Sequence, residues 1–201
     1  METYFLDWLE LVIRWLHVIT GIAWIGASFY FVWLDNSLEE PPRWKIDSGV
    51  KGELWAVHGG GIYEVGKYRL GPAKLPETLH WFKWEAYSTW LSGMVLMVLI
   101  FYVGADTYLI DPRISKLSPI EAIIFGIGFI VGGWLLYELL CSTAIVTKGP
   151  AIALCLTFSA AVASWALTSL FSGRGAFIHL GAMIGTITVS YTHLRAHETR
   201  G

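Results

Sequence analysis

Four predominantly apolar stretches constrain this chain more than any other feature: Leu11 to Leu34, Ala86 to Gly104, Ile120 to Leu140 and Ala151 to Phe171. A helix rises about 1.5 Å per residue and the hydrocarbon core of a bilayer is about 30 Å thick, so about 20 apolar residues suffice to cross it. In lipid, only helices and closed barrels satisfy their own backbone polar groups, and runs of this length favour helices. The expected fold class is all-α, a polytopic transmembrane helix bundle with four complete helices. A further apolar stretch, Ala176 to Val189, has 14 residues. That is too short to cross upright, so a truncated fifth helix is expected there.

Composition agrees with a bilayer as the solvent. The 201 residues are 55% hydrophobic and 15% charged and include eleven tryptophans, more apolar and aromatic than an ordinary soluble domain. The formal net charge is −2 and no block of like charge forms a tail, so no nucleic-acid partner is expected. Cys141 and Cys155 lie in or near apolar helices and form no C-x-x-C-H haem-attachment pattern, which leaves them as buried free thiols. The N-terminal METYFLD has no basic residue, and the first apolar stretch is longer than a signal core and lacks an A-x-A-like site. The first helix is therefore expected to be retained.

Between the first two spans lies one sizeable aqueous loop, residues 36–83, with seven basic residues: Arg43, Lys45, Lys51, Lys67, Arg69, Lys74 and Lys83. The positive-inside rule places it in the cytoplasm and the N-terminus outside. Within it, ELWAVHGGGIYEVGKYRL reads as a small β-hairpin turning at Gly59, Gly60 and Gly61, since glycine adopts the positive φ of a tight turn. GPAKLP then breaks the chain, and LHWFKWEAYSTW leads into the second span through an aromatic belt, with His80 at the membrane surface. The last segment, SYTHLRAHETRG, turns abruptly polar and resembles a translated sequencing-adapter read-through. Residues 1–187 are accordingly read as the native transmembrane part and 188–201 as a non-native tail, and His193 and His197 are left out of every site.

The first span carries the chemistry. Glu10, Arg14, His17, Gly21, Trp24 and Ser28 recur at spacings of three and four, which puts them on one helical face. Ionisable groups at membrane depth are costly and usually face a bundle interior, a cavity or a cofactor. A neutral imidazole is a good axial ligand for haem iron, and a b-type haem held between helices needs no covalent motif. Gly21 and Gly26 would let a flat macrocycle or a helix approach closely. The plainer alternatives are that His17 hydrogen-bonds another helix, and that Arg14 pairs with Glu10 or snorkels to the interface.

Other candidates are weaker. His179, in FIHLGAMIG, loosely echoes HVITGIAWIG and is either a second ligand or an interfacial residue. His58 before the triple glycine and His80 before WFKWE can serve metal binding or proton transfer but lack diagnostic spacing. Glu85 and Glu138 are candidate proton carriers or groups near the membrane boundary. The chain has no H-E-x-x-H, P-loop, G-x-S-x-G or G-x-G-x-x-G pattern, which argues against the common hydrolase and nucleotide sites.

The strings RWLHVITGIAWIGASFYFVWLDNSL, ELWAVHGGG and LHWFKWEAYSTWLSG closely resemble the N-terminal membrane domain of the bacterial membrane-integral urate hydroxylases, the PuuD-type urate oxidases. The resemblance runs from the start of the chain to about Thr186. More loosely, W-L-H-x-x-x-G-x-x-W resembles helices of small haem-binding or copper-handling membrane proteins. The resemblance implies oxidation of urate to 5-hydroxyisourate with water as oxygen source, and electrons leaving to a cytochrome c. It also implies about eight helices in the bacterial inner membrane, often followed by a cytochrome c domain carrying covalent haem c, so the chain is expected to be a C-terminally truncated part, inactive alone.

On that reading His17 is the proposed ligand of a haem b iron, with His80 and His179 as further cofactor candidates. Arg14, His58 and Glu85 are the candidates for binding the flat urate anion and moving protons. Two other classes stay open: a transporter or channel lined by Arg14, His17 and Glu138, and a haem-binding electron-transfer subunit without substrate chemistry.

Overall fold

The computed structural model describes residues 2–80 and 82–190. Contacts divide the chain into two units, Met1–Thr20 with Glu85–Gly201, and Gly21–Trp84. The adapter-like tail lies outside the described residues from position 191 onward.

Helix α1 runs from Glu2 to Ser37, 36 residues, and so exceeds the expected Leu11 to Leu34 at both ends. Nothing in residues 2–20 breaks a helix, and the first breakers are Pro41 and Pro42. At about 1.5 Å per residue such a helix is longer than a bilayer core is thick. Along α1, the half-buried residues are Leu9, Glu10, Ile13, His17, Thr20, Gly21, Trp24, Ala27 and Ser37. The expected polar face is thus partly covered, while Arg14 and Ser28 are exposed.

In the first unit, α3 (Trp84–Met97) passes into a π-helical turn over Val98–Tyr102, where Val103 N–H donates to Val98 O at 2.9 Å. Short α4 (Ala105–Tyr108) follows, then α5 (Pro119–Cys141), α6 (Gly149–Leu170) and α7 (Gly173–Ser190). Helix α5 starts where the sequence dictates. Ser118 and Glu121 form a reciprocal capping box with Pro119 at the first position, which satisfies two otherwise orphaned N–H groups. Helix α7 is longer than the expected stretch, since Gly173 to Gly175 are already helical.

Helix α7 packs against α5 and α6, around a core of Ala105, Leu109, Ala122, Leu167, Phe171 and Ala176. A second cluster joins Met97, Ile130 and Met183. Two indoles fasten α7 laterally: Trp90 Nε1 donates to Thr186 Oγ1 at 2.9 Å and Trp134 Nε1 to Ser190 Oγ at 2.8 Å. Cys141 and Cys155 are free thiols, buried and half-buried respectively.

The second unit holds the expected hairpin. β1 (Val50–His58) pairs antiparallel with β2 (Gly61–Tyr68), and His58 stands opposite Gly61. Gly59 and Gly60 have φ of 58° and 81°, the positive values that a two-residue hairpin turn demands at both positions. Short α2 (Arg43–Asp47) sits at the base of the hairpin. Its Lys45 ammonium pairs with Glu53 and Glu64 and lies 5.2 Å and 5.9 Å from the ring centroids of Trp44 and Trp55. Gly52 admits a close crossing, because a Cβ there would meet Leu38 Cβ at 2.9 Å.

Among the described residues, α1, α3 with its π turn, α5 and α6 are long and apolar enough to cross a membrane. Their outward side chains are as apolar as the core: Trp15, Ile19, Ile124, Leu139, Leu154, Phe158 and Trp165 are all more than half exposed. Continuous exposed apolar surface of this kind is costly in water and ordinary in lipid.

Candidate functional site

His17 meets α3 through its ring. Its Nδ1 lies 3.0 Å from the Thr89 carbonyl oxygen and 3.1 Å from Ser92 Oγ. A carbonyl only accepts, so Nδ1 carries the hydrogen and donates it. In a neutral imidazole the lone pair then sits on Nε2. No hydrogen bond to Nε2 is found among the described residues, and the atom is not among the buried, unpartnered ones. The ring reaches α3 because position 93 is glycine: a Cβ there would lie 2.9 Å from His17 Cε1 and 3.4 Å from Nδ1. Thr89 and Ser92 are buried, and their hydroxyls donate to Glu85 O at 2.7 Å and Ser88 O at 2.6 Å.

Glu85 stands one turn before Thr89 on α3. Its Oε2 is the one buried side-chain polar atom without a hydrogen-bond partner among the described residues. A buried carboxylate oxygen in this condition can accept a hydrogen bond from a ligand. Arg14 takes the plainer of its two roles, an ion pair with Glu10 one turn away, with both side chains more than a third exposed.

His179 is wholly buried. Its Nδ1–H donates to Gly175 O at 2.7 Å, and Tyr102 O–H donates to Nε2 at 3.2 Å. The Phe171 ring lies 5.1 Å from the imidazole, and on the remaining side Gly126 leaves no room for a Cβ beside Nε2. Both nitrogens are engaged, so His179 binds a metal only by giving up the Tyr102 bond. Tyr102 is the last residue of the π turn that follows α3, a feature that hydropathy does not signal.

His58 and His80 belong to the second unit. His58 is exposed at the hairpin tip. His80 is exposed too, edge-on to Phe82 at 4.9 Å between centroids, and Phe82 packs in the same way on Phe31 at 5.1 Å. The structure thus brings His17 to Thr89, Ser92 and Gly93. Those three partners carry a readable signal, small and polar residues three and four apart on one face of α3, which hydropathy passes over.

No three His, Cys, Asp or Glu side chains among the described residues converge as a metal site. Haem makes a smaller demand, because its ring nitrogens supply the equatorial ligands and the protein need offer only one or two axial groups. His17 fits that demand: its distal nitrogen is open and its proximal one is fixed to a backbone carbonyl, the usual support of a metal-ligating histidine.

Residues 3–194 match the model of the family described as urate oxidase N-terminal. The chain belongs to that family. The match takes in His17, Thr89, Ser92 and Glu85 as well as the hairpin. No curated protein and no solved structure shows a significant match. Family membership makes the chain urate-oxidase-related.

Proposed function

We propose that this chain is the N-terminal membrane part of an oxidoreductase that hydroxylates urate to 5-hydroxyisourate and passes the electrons to a cytochrome c. The observation that carries the reading is His17 with an open Nε2, inside a chain of the urate oxidase N-terminal family. The overall reaction balances as urate plus water giving 5-hydroxyisourate, two protons and two electrons. Water supplies the oxygen atom, and the electrons need a carrier.

In this reading His17 holds a haem b iron through Nε2. A haem held there would supply one-electron transfer toward the cytochrome c, whether a domain with covalent haem c or a separate protein. Glu85 is the group suited to accept an N–H proton from the oxopurine or from water, since its Oε2 is buried and unpaired among the described residues. Arg14 can attract the urate anion, but only in competition with Glu10. His58, His80 and His179 remain reserve candidates for proton transfer or ligation. The location that goes with this reading is the bacterial inner membrane, with the N-terminus periplasmic and loop 36–83 cytoplasmic, as its seven basic residues favour.

The test mixes membranes bearing the complete oxidoreductase, of which this chain is the proposed N-terminal part, with urate and follows cytochrome c reduction with and without oxygen. Reduction that persists without oxygen and yields 5-hydroxyisourate is the expected result. Turnover that requires oxygen and releases hydrogen peroxide would overturn the electron route. Absence of haem absorption in the purified protein, with no spectral change in His17→Ala, would overturn the cofactor.

A further inference from the structure

We propose that helix α3 sets the tautomer of His17: the Thr89 carbonyl and the Ser92 hydroxyl hold the proton on Nδ1, and Gly93 gives the ring the room to reach them. Thr89, Ser92 and Gly93 are on this view positioning residues. What they position is the lone pair of Nε2.

Three observations converge on this assignment. The Thr89 carbonyl, 3.0 Å from Nδ1, can only accept a hydrogen. Ser92 Oγ, 3.1 Å from Nδ1, lies 2.6 Å from Ser88 O and 3.0 Å from Thr89 O. The hydroxyl gives its single hydrogen to one of those carbonyls, so toward His17 it too accepts. Both partners of Nδ1 therefore act as acceptors toward it, and both belong to buried residues. The third observation is steric. An alanine methyl at position 93 would come within 2.9 Å of Cε1, closer than carbon atoms normally approach, and the ring would have to move off the Thr89 carbonyl.

A histidine at a helix seam that served only as glue would be held equally well through either nitrogen. Fixing Nδ1–H matters when Nε2 has a task, as a ligand or as a proton acceptor. The tautomer follows from the geometry alone. Its purpose as an iron ligand rests on the reading given under Proposed function.

The two are separated by measuring them in different ways. Nitrogen NMR of histidine-labelled protein in lipid, in its cofactor-depleted form, reads the tautomer directly, and His17→Gln assigns the signal. The expected spectrum has a protonated Nδ1 and an unprotonated Nε2 at His17. Ser92→Ala is expected to weaken the Nδ1–H hydrogen bond, shifting its signal toward that of a free imidazole, and Ser92→Thr to restore it. Gly93→Ala is expected to give mixed tautomers and, in the haem-loaded protein, binding weaker on the order of 10–100-fold.

Protonation of Nε2 in the parent protein would overturn the proposal. So would His17 nitrogen signals that stay unchanged in Ser92→Ala. Should Gly93→Ala fail to fold, the Ser92 pair still decides. A fixed Nδ1–H tautomer in a protein that never binds haem would leave the positioning intact and remove the haem reading. Haem bound at His17 with a mobile tautomer would do the reverse.

Discussion

His17 and His179 make the same gesture in different surroundings. Each lies on an apolar helix, leans on a glycine of a neighbouring helix, and gives its Nδ1 hydrogen to a backbone carbonyl. At His179 the carbonyl is that of Gly175, four residues back in the same helix, and Tyr102 closes the other nitrogen. At His17 the carbonyl belongs to α3, and the other nitrogen stays open. Burial follows the same division: His179 is sealed by Phe171, Tyr102 and Gly126, while His17 is half-buried on a helix whose neighbours are mostly exposed. A buried histidine with both nitrogens satisfied contributes to packing, and one with a free nitrogen is available for chemistry.

The largest expected effect breaks the pair apart by stability. His179→Ala removes a wholly buried side chain, leaves a cavity and orphans the Tyr102 hydroxyl, so a loss of about 3–5 kcal/mol is expected. His17→Ala removes a half-buried ring from a lightly packed helix, and a loss below about 1 kcal/mol is expected, accompanied by loss of haem absorption if His17 is the proposed ligand. Thermal unfolding in detergent, followed by helical circular dichroism, measures both. Equal destabilisation by the two substitutions would end the distinction.

A smaller effect tests the closure of His179. Tyr102→Phe keeps the ring and removes the hydroxyl, leaving Nε2 of a buried imidazole without a donor. The expected cost is about 1–2 kcal/mol, since hydrogen bonds between helices in lipid are worth about 1 kcal/mol and an orphaned group costs somewhat more. With Nε2 freed, His179 would acquire the open nitrogen that His17 already has. New haem absorption in this variant, with His17 replaced by alanine, would show that closure by Tyr102 is all that keeps the two histidines apart in role.

Much of this was legible in the sequence, and the reasons differ by element. Hydropathy marks the long apolar helices because about 20 apolar residues in a row have few other uses. The hairpin is marked by three glycines, two of which do take positive φ. The extension of α1 back to Glu2 is not marked, because METYFLD is neither apolar enough for a span nor broken enough for a loop. The face holding His17 is readable from spacing, and its partners only in part. Thr89, Ser92 and Gly93 show the spacing of one helical face, but which residue they meet is seen only when the other helix is placed against them. The Tyr102 partner of His179 is hidden further still, since it ends a π turn, and one extra residue in a turn leaves no compositional trace.

The smallest expected effect concerns the charge pair beside His17. Glu10 and Arg14 share its helical face, and exposed ion pairs four residues apart stabilise a helix by about 0.3–0.5 kcal/mol. Glu10→Gln should therefore scarcely change stability. It should nevertheless free the guanidinium one turn from His17, where an anion would be drawn. If Arg14 meets urate, Glu10→Gln lowers KM for urate while leaving kcat nearly unchanged, because the competitor for the same cation has gone. Arg14→Gln would raise KM and make it less sensitive to salt. If both substitutions leave KM where it was, Arg14 belongs with the helix rather than with the substrate, and His17 is then the one chemically open group on that face.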